Sequence, residues 1–216
     1  MVALTSRNHR RHAVGGRRLH PATVAPPTSR AGHRAEPLPI TSTHPPLVAI
    51  VGAHGGAATS TLARWWAPAA DCGQLWPASP ETTQRVVVAA RLCLPGLVAC
   101  ADRLREWHAG TAPAGVEVIG VVLTAASSGR APAAVRRYRA TVAELTDLVW
   151  EIGWHNELVE RELGELAQFT PFTPAPSRRS GLTVTVPADV HRVGSELIAA
   201  LASSLKTITE EQDSER

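Results

Sequence analysis

The sequence is poor in lysine, since Lys206 is the only lysine among its 22 Lys and Arg residues. We attribute this usage to GC-rich coding bias. Its three cysteines, Cys72, Cys93 and Cys100, are an odd number without C-x-x-C spacing. That argues against a structural zinc site and favours a reducing compartment. No apolar run reaches the ~18 residues that a membrane-spanning helix needs, and the basic N-terminus lacks the apolar stretch of a secretory signal. We therefore expect a cytoplasmic protein without a transmembrane segment.

The positive charge of the chain is concentrated near its start. Residues 1–46 contain seven arginines and one glutamate, a net +6, which leaves −3 of the total of +3 for residues 47–216. This segment mixes Arg, His, Pro and Gly without periodicity, so we predict a disordered basic arm. It could be a solvated linker, a misannotated start, or an arm that makes weak contact with nucleic acid or an anionic membrane.

The rest of the chain alternates short apolar runs with amphipathic segments. The whole chain has 216 residues, 44% of them hydrophobic, which is enough for one α/β domain. We place this domain at residues 47–208. A proline-rich linker at 170–180 precedes the last strand and helix, and an acidic tail at 209–216 is expected to fray. Strands are predicted at 47–51, 74–76, 85–91, 116–124, 147–152 and 182–186, and helices at 59–67, 96–109, 133–145, 156–168 and 188–208.

This alternation predicts the fold class. Strands that are apolar throughout indicate a mostly parallel sheet of four to five strands with helices on both faces, as in P-loop NTPases. Ligands of such sheets bind at the carboxyl ends of the strands. That edge would collect residues 54–60, 91–95, 125–130 and 153–155.

The stretch LVAIVGAHGGAATSTLARWW, residues 47–66, joins an apolar strand to a helix through a glycine turn. Such a turn aims backbone N–H groups at one point, where the helix dipole also favours an anion. Gly55 and Gly56 could form this anion nest or simply a tight connection. Ser60 could bind magnesium, or Thr59 and Ser60 could only cap the helix. His54 could offer a positive charge to a phosphate when protonated, or be an ordinary surface or hydrogen-bonded residue.

Gly55 and Gly56, within VAIVGAHGGAATSTLA, resemble the deviant P-loop of the ParA/MinD ATPases, which reads G-K-G-G-x-G-K-[ST]. In this resemblance both lysines of the family are replaced. The alignment places Ala53 at the first glycine, His54 at the signature lysine, Ala57 at the free position, Ala58 at the last glycine, Thr59 at the P-loop lysine and Ser60 at the magnesium-coordinating hydroxyl.

Residues 47–170 also resemble an uncharacterised set of small P-loop-like proteins from high-GC bacteria, often encoded near plasmid and conjugation genes. The shared features are the AHGG-x-x-x-ST loop, the VVxAR strand end at 87–91, the helix end at 107–110, the G-R-x-P turn at 129–132 and the W-x-x-x-W pattern at 150–154. This resemblance implies a fold and a genetic setting, and no demonstrated activity.

The resemblance to P-loop proteins implies ATP or GTP with magnesium as the ligand, and Ser60 as the metal-binding residue. Arg91 and Arg130 are placed at the carboxyl edge of the predicted sheet and could replace the lost lysines, or pair with glutamates. The aspartate that holds magnesium in such hydrolases has no counterpart at these strand ends, and we assign Asp71 to a loop. The predicted ligand-binding residues are His54, Gly55, Gly56, Ala57, Ala58, Thr59, Ser60, Thr61, Arg91 and Arg130.

Three functions remain open from the sequence. The first is a degenerate ParA/MinD-like protein without enzymatic activity, an accessory or scaffold for an unknown protein partner in a plasmid-linked or conjugative system, with weak or no nucleotide binding. The second is an active ATPase or GTPase that uses arginine for the lost lysine and forms a homodimer with nucleotide. The third is a nucleic-acid-associated protein that acts through residues 1–46.

Overall fold

The computed structural model of the chain describes residues 25–41, 44–172, 174–175 and 181–214, with side chains as far as Ser204. Predictions for residues 1–24 lie outside the described residues. The strands are β1 (His33–Arg34), β2 (Val48–Gly52), β3 (Ala69–Asp71), β4 (Trp76–Pro77), β5 (Arg85–Leu92), β6 (Glu117–Ala125) and β7 (Val149–Ile152). The helices are α1 (Thr59–Trp65), α2 (Leu94–His108), α3 (Ala133–Glu144) and α4 (Ala188–Ser214), with 3-10 turns at Asn156–Glu160 and Leu163–Glu165.

The main sheet has five strands in the order β3-β2-β5-β6-β7, and every neighbouring pair is parallel. The predicted fold class, a parallel sheet in an α/β chain, is confirmed. All five residues of β2 are buried, because parallel strands covered on both faces must be apolar on both. After β2 the chain forms β3 on one side of β2, and it later forms β5 on the opposite side of β2.

Helices cover both faces of this sheet, as the sequence predicts. The side chains of α1 and α4 pack on one face around Leu62, Trp65 and Val193. Those of α2 and α3 pack on the other around Leu97 and Val142. Of the helices described, none is long and apolar enough to cross a membrane.

The prediction of a helix at 156–168 is wrong. The segment contains two 3-10 turns separated by extended residues, and its end lies against α1. The amide of Phe169 donates to the Trp65 carbonyl oxygen at 2.6 Å, and Ala67 N donates to the Phe169 carbonyl oxygen at 3.1 Å. Leu166 and Phe169 are each 2% exposed. These contacts with α1 require extended backbone near Phe169, so tertiary packing overrides the local helical pattern.

The predicted strand at 182–186 is also wrong, because its residues form a turn. The amides of Val184 and Thr185 both donate to the carbonyl oxygen of Gly181. Leu182 and Val186 are buried, whereas Val184 is 72% exposed. The buried side chains of Leu182 and Val186 therefore hold the two ends of a turn, and this segment adds no strand to the sheet.

Smaller corrections concern the two ends of the chain. The short strand predicted at 74–76 is Trp76–Pro77, and it pairs with β1 outside the main sheet. Residues 1–46 are therefore not wholly without structure, since β1 lies within them and Leu38 is only 3% exposed. The last helix ends at Ser214, so it includes most of the tail predicted to fray.

Glu106 explains why the N-terminal segment is attached to the domain. It lies on α2 with 1% exposure, and its carboxylate accepts from Ala31 N at 2.5 Å, from Trp76 Nε1 at 3.1 Å and from Arg103 Nη1 at 2.7 Å. A buried carboxylate is stable only when it is paired and hydrogen-bonded. Three donors from separate parts of the chain meet that requirement, and the glutamate thereby joins β4 and the segment before β1 to α2.

We expect Glu106→Ala to lower the free energy of unfolding by about 3–5 kcal/mol, because it leaves a buried guanidinium, an indole N–H and an amide N–H without their acceptor. Glu106→Gln keeps one acceptor oxygen and should lose less. The measurement is chemical denaturation beside Glu144→Ala, a control at the exposed end of α3. A loss for Glu106→Ala no larger than that of the control would contradict this role.

Candidate functional site

The candidate site lies where the strand order reverses, at the carboxyl ends of β2 and β5. In doubly wound sheets the loops on either side of this point diverge and leave a crevice for a ligand. The loop after β2 begins with Ala53, whose amide donates to the Ala89 carbonyl oxygen at 2.9 Å. It then continues into α1, so the predicted strand–turn–helix frame is present at this edge.

The backbone of this loop leaves its N–H groups free. Gly56 and Ala58 have φ values of 75° and 71°, in the left-handed region. That conformation costs a non-glycine residue roughly 1–2 kcal/mol. None of the amides of residues 55–61 donates a hydrogen bond to any residue in the described part of the chain. A run of free amides on a turn that leads into a helix is the arrangement that binds an anion.

Arg91 lies near the carboxyl end of β5 and is held against this loop. Its Nε donates to the Gly56 carbonyl oxygen at 2.9 Å and its Nη1 to the Ala125 carbonyl oxygen at 3.0 Å. Within the described residues its Nη2 makes no hydrogen bond. The guanidinium is therefore a fixed positive charge at the loop, held by backbone oxygens instead of a carboxylate.

His54 has a different part in the loop from the one that the resemblance implies. Its Nε2 lies 3.1 Å from Arg91 N, which can only donate, so Nε2 accepts. Its Nδ1 lies 2.7 Å from the Gly55 carbonyl oxygen, which can only accept, so Nδ1 carries the proton. In this geometry the imidazole is neutral and both nitrogens are engaged. His54 fastens the loop to β5 and has no N–H left for a phosphate.

Ser60 and Asp71 form a pair that the sequence analysis did not find. Ser60 Oγ donates to Asp71 Oδ2 at 2.5 Å, and Asp71 Oδ1 accepts from Gly73 N at 2.8 Å. Asp71 is the last residue of β3, so assigning it to a loop was wrong. The signal was the acid directly after two apolar residues, which is the pattern of a strand end. A hydroxyl and a carboxylate are oxygen ligands of the type that Mg²⁺ uses together with phosphate oxygens.

The remaining predicted site residues are placed less centrally. Ala57 is 2% exposed and packs in the core with α1 and α4. The N-cap of α1 is Ala58, so the alternative in which Thr59 or Ser60 caps the helix is wrong. Arg130 is exposed and does not line the cavity described next.

A cavity of about 170 Å³ adjoins the loop. Ala58, Thr61 and Trp65 line its α1 side, and Arg91 lines the side next to β5. Its remaining wall is contributed largely by the segment after β7, which the sequence analysis had assigned to a strand end and a helix. The lining residues from that segment are Gly153, Trp154, His155, Leu158 and Val159.

Asp189 holds this segment in place from the first turn of α4. Its Oδ2 accepts from Gly153 N at 2.7 Å, and its Oδ1 lies 3.2 Å from His155 Nε2 and accepts from Val190 N at 2.9 Å. Burial of Asp189 opposes ionisation, but the bonds from His155, Gly153 and Val190 outweigh it. The pKa of this carboxyl is therefore below its ordinary value.

Burial makes the thiols of Cys72 and Cys100 poor candidates for reactive groups. Burial raises the pKa of Cys72 to about 11, although Arg34 opposes the shift. Burial also raises the pKa of Cys100 to about 12. Both thiols are therefore protonated at neutral pH, and a protonated thiol is a poor nucleophile and metal ligand. Among the residues that the structure describes, no group of three His, Cys, Asp or Glu side chains is arranged to hold a metal ion.

Comparison of the chain with protein-family models, with curated proteins and with solved structures found no match. The ParA/MinD resemblance therefore stays a prediction that depends on the loop residues.

Asp189 should make stability depend on pH. A carboxyl whose pKa is lower in the folded chain stabilises it above the unfolded value of about 3.9, and that contribution is lost as the pH falls through the folded value. We expect Asp189→Asn to lower the free energy of unfolding by about 1 kcal/mol at pH 7, and by less as the pH approaches 3. The measurement is denaturation at several pH values. Asp102→Asn, which breaks an exposed pair with Arg105, is the control; an identical pH profile for the two variants would contradict the assignment.

Proposed function

We propose that the chain binds a phosphorylated ligand, weakly and with the help of magnesium, and does not hydrolyse it. The observation that carries this proposal is the Ser60–Asp71 pair beside a loop whose amides are free. Each feature alone has a structural explanation. Together, at the carboxyl edge of a parallel sheet, they supply the two things that a magnesium-bound phosphate needs: N–H donors and hard oxygen ligands.

The donor set fits magnesium. Mg²⁺ usually keeps several waters and takes only one or two protein ligands in addition to substrate phosphates. Ser60 Oγ and Asp71 Oδ2 would be those ligands, and the bound ion would supply positive charge to the phosphate oxygens. Gly73 N, which donates to the other oxygen of Asp71, fixes the orientation of the carboxylate.

Weak binding without turnover follows from the charges of the loop. A P-loop lysine reaches the β- and γ-phosphates, but Arg91 is already bonded to two carbonyl oxygens and keeps only part of its donors. Both ring nitrogens of His54 are engaged by backbone groups, so this side chain has no N–H directed at a phosphate. An accessory or scaffold role for a protein partner agrees with such a site, whereas the link to plasmid or conjugation genes depends on the resemblance alone.

The second candidate is the nucleotide hydrolase. The same Ser60–Asp71 pair favours it, because hydrolases of this type hold magnesium with a hydroxyl and a strand-end aspartate. It differs from the first proposal in that the nucleotide is hydrolysed and the protein forms a homodimer. It requires magnesium-dependent release of phosphate from ATP or GTP, and gel filtration should then show a nucleotide-dependent homodimer.

Calorimetric titration of the full chain with pyrophosphate, ATP and GTP tests the proposal. With magnesium we expect dissociation constants of the order of 0.1 mM, about −5.5 kcal/mol. Ser60→Ala and Asp71→Asn should each weaken this binding by about tenfold, 1.4 kcal/mol. Without magnesium Asp71→Asn should not weaken binding, because an unshielded carboxylate only repels the phosphate.

Ser195→Ala and Asp102→Asn are matched controls on the surfaces of α4 and α2, and should bind as the parent chain does. No binding at millimolar ligand, or equal losses in the control variants, would contradict the proposal. Phosphate release that Ser60→Ala abolishes would favour the hydrolase instead.

A further inference from the structure

We infer that the cavity beside the loop binds the flat heterocyclic base of a nucleotide, with Trp154 as its stacking surface. The inference depends on the proposed function, since it identifies the ligand whose phosphate lies on the loop. Pockets that enclose a whole small ligand measure about 300–1,000 Å³. The cavity here measures about 170 Å³, so it suits one part of a ligand, with the remainder outside it.

The cavity and the loop are continuous. Ala58 and Thr61 belong to the stretch with free amides, and both also line the cavity. Arg91 lines the cavity and donates to Gly56 of the loop. A ligand with a ring in the cavity therefore has its substituents directed past Arg91 to the phosphate-binding amides. The commonest ligands with a ring at one end and a phosphate at the other are nucleotides.

The lining has the composition that a base requires. Ile152, Leu158 and Val159 offer apolar contact, and Thr61, Arg91 and His155 are the few polar residues beside them that would orient a ring, whereas the Thr124 hydroxyl donates to the Ala90 carbonyl oxygen. Trp65 and His155 meet edge to face, with centroids 5.7 Å apart, at the inner wall. None of the described residues that line the cavity is acidic, so none of them repels an electron-rich ring.

Trp154 has the features of a stacking surface. It is 41% exposed, which is unusual for the largest apolar side chain, yet its ring is fixed because Nε1 donates to Asn156 Oδ1 at 2.6 Å. The segment that carries it is held in turn by the bond from Gly153 N to Asp189. A ring that is already ordered loses little entropy when a base stacks on it. Stacking of one base on an aromatic side chain is worth several-fold to over a hundredfold in affinity.

The test compares nucleotide with pyrophosphate binding to the full chain in the presence of magnesium. We expect Trp154→Ala to weaken ATP or GTP binding by about tenfold and to leave pyrophosphate binding unchanged. Trp154→Phe keeps an aromatic face and should recover most of the loss. Phe172→Ala is the control, because Phe172 is 98% exposed and does not line the cavity.

The outcomes separate this inference from the proposed function. If pyrophosphate and both nucleotides bind equally well, and Trp154→Ala changes neither, the base subsite is wrong and the phosphate site stands. If Trp154→Ala weakens pyrophosphate as much as nucleotide, the residue acts on the loop and the inference is again overturned. If pyrophosphate fails to bind, the proposed function fails, and the base subsite fails with it unless adenosine or guanosine binds in a manner that Trp154→Ala abolishes.

Discussion

The structure depends on one constraint, which is that β2 has a parallel partner on each side. A strand hydrogen-bonded on both edges and covered on both faces has to be apolar along its whole length, and all residues of β2 are buried. The chain leaves β2 at the carboxyl end of this strand, between β3 and β5. The loop after β2, the Ser60–Asp71 pair and the part of the cavity lined by Ala58 and Thr61 all lie near this end of β2.

Arg91 connects these parts in a way that its residue type explains. A guanidinium has five donors in a rigid plane, so it can bond to Gly56 and Ala125 at once and remain charged. A lysine at this position has a single flexible ammonium and would not join the two loops. The same bonds that order the loop also reduce the freedom of the charge, and this is why we propose a binding site and not a catalytic one.

The sequence predicted the loop and missed its neighbours. The strand, the glycine turn and the helix start are local features within 20 residues, and their pattern indicates a phosphate site without tertiary information. Asp71 was assigned to a loop because β3 has only three residues, which is too short for a periodic signal. Residues 156–168 were assigned to a charged helix, although the chain at Asn156–Glu160 turns in 3-10 geometry. The place of residues 154–159 in the cavity wall depends on Asp189, which is more than thirty residues away.

By itself the sequence determined the class of fold, and it predicted a phosphate-binding loop after β2. Apolar runs separated by amphipathic segments specify a covered parallel sheet, since burial on both faces leaves no other arrangement of those runs. Tertiary structure alone decided which strand lies beside β2, that Ser60 bonds to Asp71, that His54 bonds to the backbone of Arg91 and Gly55, and that Trp154 lines a cavity. Each of these depends on residues distant in the chain being brought within hydrogen-bonding or van der Waals distance, and no local pattern encodes that contact.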